Sequence, residues 1–336
     1  MTDRLRAAVI GLGQVAWRFD EEVGRRTVWT HCGAYAALSD DYVLAGACDS
    51  DSGTRAAFAH RYPEVPVADS IDDLMMNARP DVVSICTPVA SHAVVLDAVL
   101  AAGTPAAIWC EKPLADELDT ARDMNAACTA RQAVLIVSHV RRWAPLWRRF
   151  KARLDDDEIG TLRCLRIAMP NRLWSIGSHA IDLLFWLGGA ASEIRPTDIP
   201  SLAEDGEPAR AAVINFRGDG YGILQVTGCK TALMVEAEAI GDRGRLCLRE
   251  DQQTISFESF VESERYDGYR ELANPSLERV AAPEGGSPFI EIAREIAGLV
   301  RGEREGATCD GHAALETQAG LEALATIDAA GEARSP

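Results

Sequence analysis

The chain has 336 residues, 47% of them hydrophobic, and this length and composition favour two domains with sizeable cores. Its 51 acidic and 34 basic residues give a formal net charge of −17, which repels the phosphates of nucleic acids and of anionic membranes. No apolar run has the roughly twenty residues of a membrane span and the first residues lack the apolar core of a secretory signal, so we expect a cytoplasmic protein with a small-molecule ligand.

A glycine-rich motif follows the first predicted strand, residues 7–10, and reads Gly11-Leu12-Gly13-Gln14-Val15-Ala16. It matches G-x-G-x-x-G/A, in which the first glycine permits a tight turn and the second lets the backbone approach a pyrophosphate. The next predicted strand, Tyr42–Cys48, leads into Asp49, whose carboxylate is placed to accept hydrogen bonds from a ribose diol. These features predict a dinucleotide site, and Asp49 favours NAD over NADP because a 2′-phosphate would meet a like charge.

The chain between the motif and Asp49 is longer than the usual spacing of about twenty residues. We infer an insertion between them. We assign it to residues 17–29, which carry several charged side chains and would extend or interrupt the first helix. Two interpretations stay open, a solvated loop and a lid over the site.

Predicted strands and helices then alternate. Strands are expected at residues 81–86, 106–110 and 133–138, and helices at residues 90–102 and 116–131. This alternation predicts a parallel sheet with helices on both faces. The loop after the first of these strands, Thr87-Pro88-Val89-Ala90-Ser91-His92, is placed to line the nicotinamide ribose. His92 either touches the cofactor or sits in the first helical turn.

The stretch Trp109-Cys110-Glu111-Lys112-Pro113 closes the strand at residues 106–110. A carboxylate and a lysine end a buried strand and a proline prevents its continuation, so Lys112 should stand at the carboxyl end of that strand. In an open α/β sheet, this edge is where ligands bind. An ordinary polar strand terminus is the alternative interpretation.

The nine cysteines occur singly and form no C-x-x-C pair. This pattern indicates reduced, mostly buried thiols, and it disfavours both a disulfide framework and a zinc site. We therefore expect no metal and assign no chemistry to the cysteines.

The second half of the chain has consecutive short strands separated by turns. They imply an antiparallel or mixed open sheet, covered by helices on one face and available for subunit contact on the other. Helices are expected at residues 145–156 and 179–187, and the C-terminal segments Pro288–Val300 and 310–330 are typical of packing helices. The strands are expected at residues 162–167, 209–216, 221–227, 232–240, 245–249 and 253–257.

With these elements in place, the chain resembles the Gfo/Idh/MocA family of NAD(P)-dependent oxidoreductases, which act mostly on sugars, cyclitols and related polyols. The motifs that carry the resemblance occur in the family's order and span nearly the whole chain. They are Gly11-Leu12-Gly13, Thr87-Pro88 with His92, Glu111-Lys112-Pro113, Arg142 with Pro145, Glu158-Ile159-Gly160 and Gly177-Ser178-His179-Ala180-Ile181-Asp182.

The resemblance implies an α/β fold of two domains. A Rossmann domain with a doubly wound parallel sheet would occupy residues 1–140. A substrate-binding and oligomerisation domain with a large open, mostly antiparallel sheet would occupy residues 141–336, with room for the C-terminal helices to pack back on the first domain. Homodimers or homotetramers through the C-terminal sheet are implied as well.

The resemblance also implies roles for individual residues. The lysine of the Glu-Lys-Pro motif and the histidine of the later Gly-x-His motif carry over as the catalytic residues Lys112 and His179. The residues implied to bind the cofactor are Gly11, Gly13, Gln14, Val15, Asp49, Thr87, Pro88, His92 and Glu111. The candidates for binding the substrate are Arg142, Asn171, Arg172, Trp174, Ser175 and Asp182.

One departure lies at the centre of the implied site. Many relatives have aspartate four residues before the histidine, where this chain has Ser175, so the usual Lys-Asp-His relay is absent. The segment of residues 166–175 is also shorter than the same segment in many relatives. Both features argue against a common hexose or inositol as substrate. Asp182 is open to two interpretations, a helix-internal acid that orients a neighbour or a direct participant in catalysis.

The resulting hypothesis is NAD-dependent oxidation of a secondary alcohol of a sugar, amino-sugar or cyclitol, with Lys112 taking the hydroxyl proton. The acidic surface favours a cationic amino-sugar or aminocyclitol, as in aminoglycoside-type natural-product pathways. A keto-sugar or imine reductase of the same fold is one alternative. A non-catalytic NAD-binding sensor is the other, suggested by Ser175 and opposed by the retention of Lys112 and His179.

Overall fold

The computed structural model describes residues 4–24, 27–170, 173–197, 209–229, 234–281 and 287–325. The chain forms two compact units. The first comprises Met1–Trp143 with Pro283–Gln318, and the second comprises Ala144–Ala282 with Ala319–Pro336. Each unit contains its own β-sheet and its own cluster of buried apolar side chains.

The first unit is built on a six-stranded parallel sheet. Its strands are β1 Leu5–Ile10, β2 Tyr42–Cys48, β3 Val67–Ala68, β4 Val82–Ile85, β5 Ala107–Cys110 and β6 Val134–Val137, in the order β3-β2-β1-β4-β5-β6. The helices are α1 His31–Ala37, α2 Ser52–Arg61, α3 Ile71–Ala78, α4 His92–Ala102, α5 Leu118–Ala130 and, from the C-terminal part of the chain, α8 Pro288–Val300. Strands β4 and β5 are buried along their whole length, as expected of central parallel strands covered on both faces.

The register of this sheet brings four strand ends to one edge. Ile10 of β1 pairs with Cys48 of β2 and with Ile85 of β4, and Ile85 pairs with Cys110 of β5. Parallel strands end on the same side of a sheet, so the residues that follow them are neighbours in space. Those residues are Gly11, Asp49, Cys86 and Glu111.

The second unit is built on an eight-stranded sheet in which β10 and β7 pair in parallel and the other neighbours are antiparallel. Its strands are β7 Leu162–Met169, β8 Ala191–Thr197, β9 Arg210–Phe216, β10 Tyr221–Val226, β11 Glu236–Gly241, β12 Gly244–Arg249, β13 Thr254–Glu262 and β14 Arg270–Arg279, in the order β14-β13-β12-β11-β7-β10-β9-β8. Its helices are α6 Pro145–Asp155 and α7 Ser178–Gly188, and α9 Gly311–Ala325 runs across the boundary between the units.

The two faces of this sheet differ in chemistry. Alternate residues of β7 and β10, such as Leu165, Ile167 and Leu224, are buried on the face that α7 covers. The opposite side, called here the outer face, carries charged side chains that pair across strands. This alternation is the pattern of a sheet that is covered on one side.

The predicted fold class is confirmed: a parallel Rossmann-type sheet and a separate, mostly antiparallel sheet. Several elements were not predicted, namely α1, α2, α3, β3, β8 and β14. The first helix does not follow the glycine-rich motif directly, since α1 begins at His31. Predicted residues 232–233 and 326–330 lie outside the described ranges. Among the described helices, none combines the length and the apolar character needed to cross a bilayer.

Candidate functional site

The glycine-rich turn shows why glycine stands at position 11. Gly11 has φ +86°, and a Cβ atom there would lie 2.7 Å from the amide nitrogen of Thr87 and 2.8 Å from its Cγ2. Both the left-handed backbone and the close approach of the loop after β4 therefore require glycine. At Gly13 the situation is opposite, because a Cβ would meet no atom of the described residues within 4 Å. The turn leaves open space at the position where the motif expects a pyrophosphate.

Asp49 is held in a fixed position at the end of β2. Its Oδ2 accepts a hydrogen bond from the Leu12 amide at 2.8 Å, and its Oδ1 accepts one from the Asp51 amide at 2.9 Å. Each carboxylate oxygen has a second lone pair, so the group retains capacity for a ribose diol. The backbone of the glycine-rich turn itself orients the predicted ribose-binding acid.

A cleft of about 710 Å³ opens at this edge of the sheet. Seven of the nine predicted cofactor-binding residues line it, namely Gly11, Gly13, Gln14, Val15, Asp49, Thr87 and Pro88. Within the described part of the chain, Thr87 Oγ1 is buried and has no hydrogen-bond partner. The glycine cradle, the oriented carboxylate and this unpaired hydroxyl fit a dinucleotide. Phe19 also lines the cleft and was not predicted.

The insertion at residues 17–29 interrupts the first helix. Asp20 accepts hydrogen bonds from the Trp29 amide at 2.6 Å and from Thr30 Oγ1 at 2.5 Å, which ties the two ends of the segment together. Glu21 pairs with Arg61 of α2 at 2.7 Å. The described part of the insertion is therefore a loop closed at its base, and it contributes Phe19 to the cleft wall.

Glu111 and Lys112 follow β5 at the same edge. The Glu111 amide donates to the Ile85 carbonyl at 3.0 Å, and Glu111 Oε1 lies 3.1 Å from His31 Nε2. Burial raises the pKa of Glu111, but hydrogen bonds from His31 and Ser138 and the charge of Lys112 outweigh it, and the net pKa is lowered. Glu111 is accordingly ionised at neutral pH although its side chain is only 14% exposed.

Lys112 stands at the same edge of the sheet, and its side chain is partly buried. Burial lowers the pKa of its ammonium group, with Glu111 opposing this shift and Arg141 adding to it. A lowered pKa makes the neutral amine, which is the form that accepts a proton, easier to reach. The strand that delivers Lys112 pairs with β4, whose continuation, Thr87 and Pro88, lines the cleft.

Glu111 is hydrogen-bonded to a buried chain of polar side chains that no sequence pattern predicted. His31 Nδ1 lies 2.9 Å from Ser84 Oγ, and Ser84 Oγ lies 2.8 Å from the Tyr35 hydroxyl. The His31 ring lies against Trp109, with centroids 3.8 Å apart and ring planes inclined by 36°. These side chains come from α1, β4 and β5, and no periodicity within one element marks such a chain.

Two predicted site residues of the first unit, His92 and Arg142, lie against backbone carbonyl groups. His92 is buried in the first turn of α4, where Nε2 lies 2.8 Å from the Thr87 carbonyl and Nδ1 lies 3.1 Å from that of Leu114. This placement favours the second interpretation of His92, although the residue fixes the cleft-lining Thr87. Arg142 is also buried and donates to the Thr308 carbonyl at 3.0 Å. A substrate contact by Arg142 stays a prediction.

The predicted site residues of the second unit cluster before and within α7. Trp174 is half-buried in a π-helical turn, Leu173–Gly177. His179 stands in the first turn of α7 and is 5% exposed, and Asp182 is fully buried one turn later. Asn171, Arg172 and the side chain of Ser175 lie outside the described residues. Because Lys112 and His179 belong to different units, their convergence stays a prediction.

Comparison with known proteins agrees with this description. Residues 5–139 match the family model GFO_IDH_MocA, described as an oxidoreductase family with an NAD-binding Rossmann fold. D-glucoside 3-dehydrogenase of Escherichia coli is 29% identical over 167 residues, which are 48% of this chain and 44% of that protein. The chain spans about half the length of the curated relatives it matches.

Solved structures extend the similarity in fold to the whole chain. An oxidoreductase from Agrobacterium radiobacter, in complex with NAD⁺, L-tartaric acid and magnesium, has a TM-score of 0.80 at 18% identity, with 99% of this chain and 98% of that one covered. GenD2 from gentamicin A biosynthesis, in complex with NAD, has a TM-score of 0.78 at 22% identity, with 100% and 97% covered. The predicted family resemblance and its NAD-binding Rossmann domain are confirmed.

Proposed function

We propose that the chain transfers hydride between NAD and a secondary alcohol or ketone of a sugar, amino-sugar or cyclitol, because residues 5–139 match the GFO_IDH_MocA oxidoreductase family model. The observation that carries this proposal is Lys112, a partly desolvated ammonium group that stands one strand from the dinucleotide cleft. A proton acceptor next to a nicotinamide site is the arrangement that alcohol oxidation requires.

The protein's part in the reaction follows from these groups. Bound NAD supplies the hydride acceptor. The glycine-rich turn admits the pyrophosphate, and Asp49 binds the ribose diol and disfavours the extra phosphate of NADP. Lys112, in its neutral form, takes the hydroxyl proton as the alcohol is oxidised, and in its ammonium form returns that proton when a ketone is reduced. His179 would hydrogen-bond the same substrate oxygen.

The substrate class is proposed from charge and from one structural relative. A net charge of −17 attracts cations, and GenD2, which shares the fold over the whole chain, comes from gentamicin A biosynthesis. We therefore propose a cationic amino-sugar or aminocyclitol in preference to a neutral hexose. D-glucoside 3-dehydrogenase supports the broader class of carbohydrate alcohols.

The experiment that tests the function is a substrate panel. The full chain is mixed with NAD and with sugars, amino-sugars and cyclitols, and absorbance of the reduced cofactor is followed. We expect turnover with amino-sugars and a kcat/KM that falls steeply with ionic strength, because screening weakens long-range attraction. Equal rates for neutral and cationic members would contradict the substrate class. NAD binding without turnover on any member would favour a sensor.

The proposed convergence of Lys112 and His179 has its own test. If both groups act on one substrate oxygen, His179→Ala lowers kcat about 10²-fold alone and much less when Lys112 is already alanine. Multiplicative losses in the double variant would show that the two residues act independently.

We also propose a homo-oligomer that assembles through the outer face of the second sheet. Val213 of β9 and Ile223 of β10 lie opposite each other on this face, and Val213 and Tyr221 are among the exposed large apolar residues. Exposed neighbouring apolar side chains favour a subunit contact. Light scattering after size exclusion would give the mass, and Val213→Glu should shift it toward the monomer.

A further inference from the structure

Glu111 is the end of a chain of buried hydrogen bonds whose members come from a helix and two strands of the first unit, or directly follow them. Tyr35 and His31 stand on α1, Ser84 on β4, and Glu111 directly after β5. The consecutive distances are 2.8 Å from the Tyr35 hydroxyl to Ser84 Oγ, 2.9 Å from Ser84 Oγ to His31 Nδ1, and 3.1 Å from His31 Nε2 to Glu111 Oε1. His31, Tyr35 and Ser84 are at most 1% exposed.

The protons of this chain can be placed in one consistent direction. An ionised Glu111 can only accept, so His31 donates to it through Nε2–H. Burial lowers the pKa of His31, with Glu111 opposing, so the imidazole is neutral and its Nδ1 accepts. The Ser84 hydroxyl then donates to Nδ1, and its oxygen accepts from the Tyr35 hydroxyl. Every polar hydrogen of the chain has an acceptor, and the tautomer of His31 is fixed.

We propose that His31 is a positioning residue that holds the Glu111 carboxylate ionised beside Lys112, and that Ser84 and Tyr35 fix the imidazole tautomer it needs. The consequence for catalysis rests on the proposed function, whereas the arrangement itself does not. His31 touches neither the cleft nor Lys112 in this scheme, and it acts only through Glu111.

The charge of Glu111 depends on its hydrogen-bond donors, and the charge of Lys112 depends on Glu111. Without a donor from His31, burial would favour the protonated form of Glu111, leaving Ser138 as its remaining side-chain donor. Lys112 would then lose the negative charge that counters desolvation and the repulsion of Arg141. The groups that face Glu111 from the surrounding elements are His31, Ser138, Lys112 and the thiols of Cys86 and Cys110.

Two substitutions of His31 distinguish the hydrogen bond to Glu111 from the hydrogen bond to Ser84. A glutamine amide nitrogen reaches about as far as histidine Nε2, so His31→Gln retains a donor to Glu111. An asparagine amide reaches only as far as Nδ1, so His31→Asn keeps the Ser84 side and loses Glu111. Both variants are neutral amides in the same buried position, which makes them matched controls for each other.

The readout is the titration of Lys112 itself, measured on the full chain without cofactor or substrate. Trace acylation across a pH series, followed by mass spectrometry of the peptide containing Lys112, gives the pKa of this amine. We expect His31→Gln to match the wild type, and His31→Asn to lower the pKa of Lys112 by about one unit, with Glu111→Gln lowering it at least as far. The pH profile of kcat/KM should shift by the same amount.

An unchanged pKa of Lys112 in folded His31→Asn would overturn the proposal, as would equal shifts in the asparagine and glutamine variants. If His31→Asn fails to fold, Ser84→Ala replaces it, because loss of the hydroxyl releases the tautomer and should lower the same pKa. No shift in that folded variant would also overturn it. If the pKa shifts but no substrate is turned over, the proposed function fails and the positioning role stands.

Discussion

At the edge of the first sheet, Glu111 and Lys112 are largely withdrawn from water, whereas on the outer face of the second sheet Glu238, Arg245 and Glu258 remain 24–32% exposed. Each set combines opposite charges that influence one another, and in the second set Arg245 Nη1 lies 3.2 Å from Glu238 Oε1. The difference lies in the alternative available to each group. An exposed ion that loses its partner returns to water, but a buried ion has no comparable solvation. Loss of one charged partner should therefore have a larger effect at Glu111 and Lys112 than at the Arg245 cluster.

The largest expected effect is at Lys112. Lys112→Ala should lower kcat about 10²- to 10⁴-fold, the usual scale for a lost acid-base group, and leave NAD affinity nearly unchanged. Steady-state rates and a fluorescence titration with NAD measure the two quantities. Lys151→Ala is the matched control, because Lys151 pairs with Asp155 on α6 in the second unit and should give normal rates. Near-normal turnover by Lys112→Ala would refute the catalytic assignment.

The next largest effect contrasts the two glycines of the turn. Gly11→Ala places a Cβ 2.7 Å from backbone atoms of the loop after β4 and strains a φ of +86°, so it should lower the free energy of unfolding by about 1–3 kcal/mol. The Cβ of Gly13→Ala meets nothing within 4 Å in the part of the chain that the structure describes, so this variant should keep its stability while NAD binding weakens. Urea denaturation and NAD titration of both variants check the contrast. If Gly11→Ala and Gly13→Ala were equally destabilising, a Cβ at Gly13 would not be in open space, and the contrast would be refuted.

A pH effect on stability should come from His31. Burial depresses its pKa below the ordinary value of 6.5, so the unfolded chain binds a proton near pH 6.5 that the folded chain does not. The free energy of unfolding therefore falls as pH drops below 6.5, by at most about 1.4 kcal/mol per pH unit. His31→Gln should remove this slope between pH 6.5 and pH 5. Protonation of Glu111 lowers the free energy of unfolding further, but only below about pH 4.5. Parallel slopes for wild type and variant would contradict this.

The smallest effect is expected on the outer face. Arg245→Ala breaks contacts with Glu238 and Glu258, yet it should lower the free energy of unfolding by less than about 1 kcal/mol, because all three groups can hydrate. The difference from wild type should shrink further in high salt. Thermal unfolding at two salt concentrations measures it. If Arg245→Ala lowered the free energy of unfolding as much as Gly11→Ala, these charged groups would behave like a buried network.

Sequence patterns sufficed where function follows local chain geometry. The glycine turn, Asp49 and Lys112 each sit at the end of an apolar run, and the register of the parallel sheet then brings these ends together. Strands β8 and β14 escaped prediction because they lie at the edges of their sheet and contain prolines, Pro196 and Pro275, that interrupt the alternation.

The buried chain behind Glu111 escaped prediction for another reason. His31 is separated from Ser84 by 53 positions and from Glu111 by 80, so only the tertiary fold makes them neighbours. A histidine in a short helix carries no mark of such a partner. Long-range polar contacts of this kind follow from packing, which periodicity within one element does not encode.

The closure of the insertion by Asp20 has an evolutionary consequence. Since Asp20 accepts hydrogen bonds from both Trp29 and Thr30, the two sides of the insertion are held together at its base, and Val23 within it is fully exposed. The entropic cost of closing a loop rises by only about 0.6 kcal/mol for each doubling of its length. Descendants of this gene can therefore lengthen or replace the residues between Asp20 and Trp29 without moving α1 or the histidine at its start.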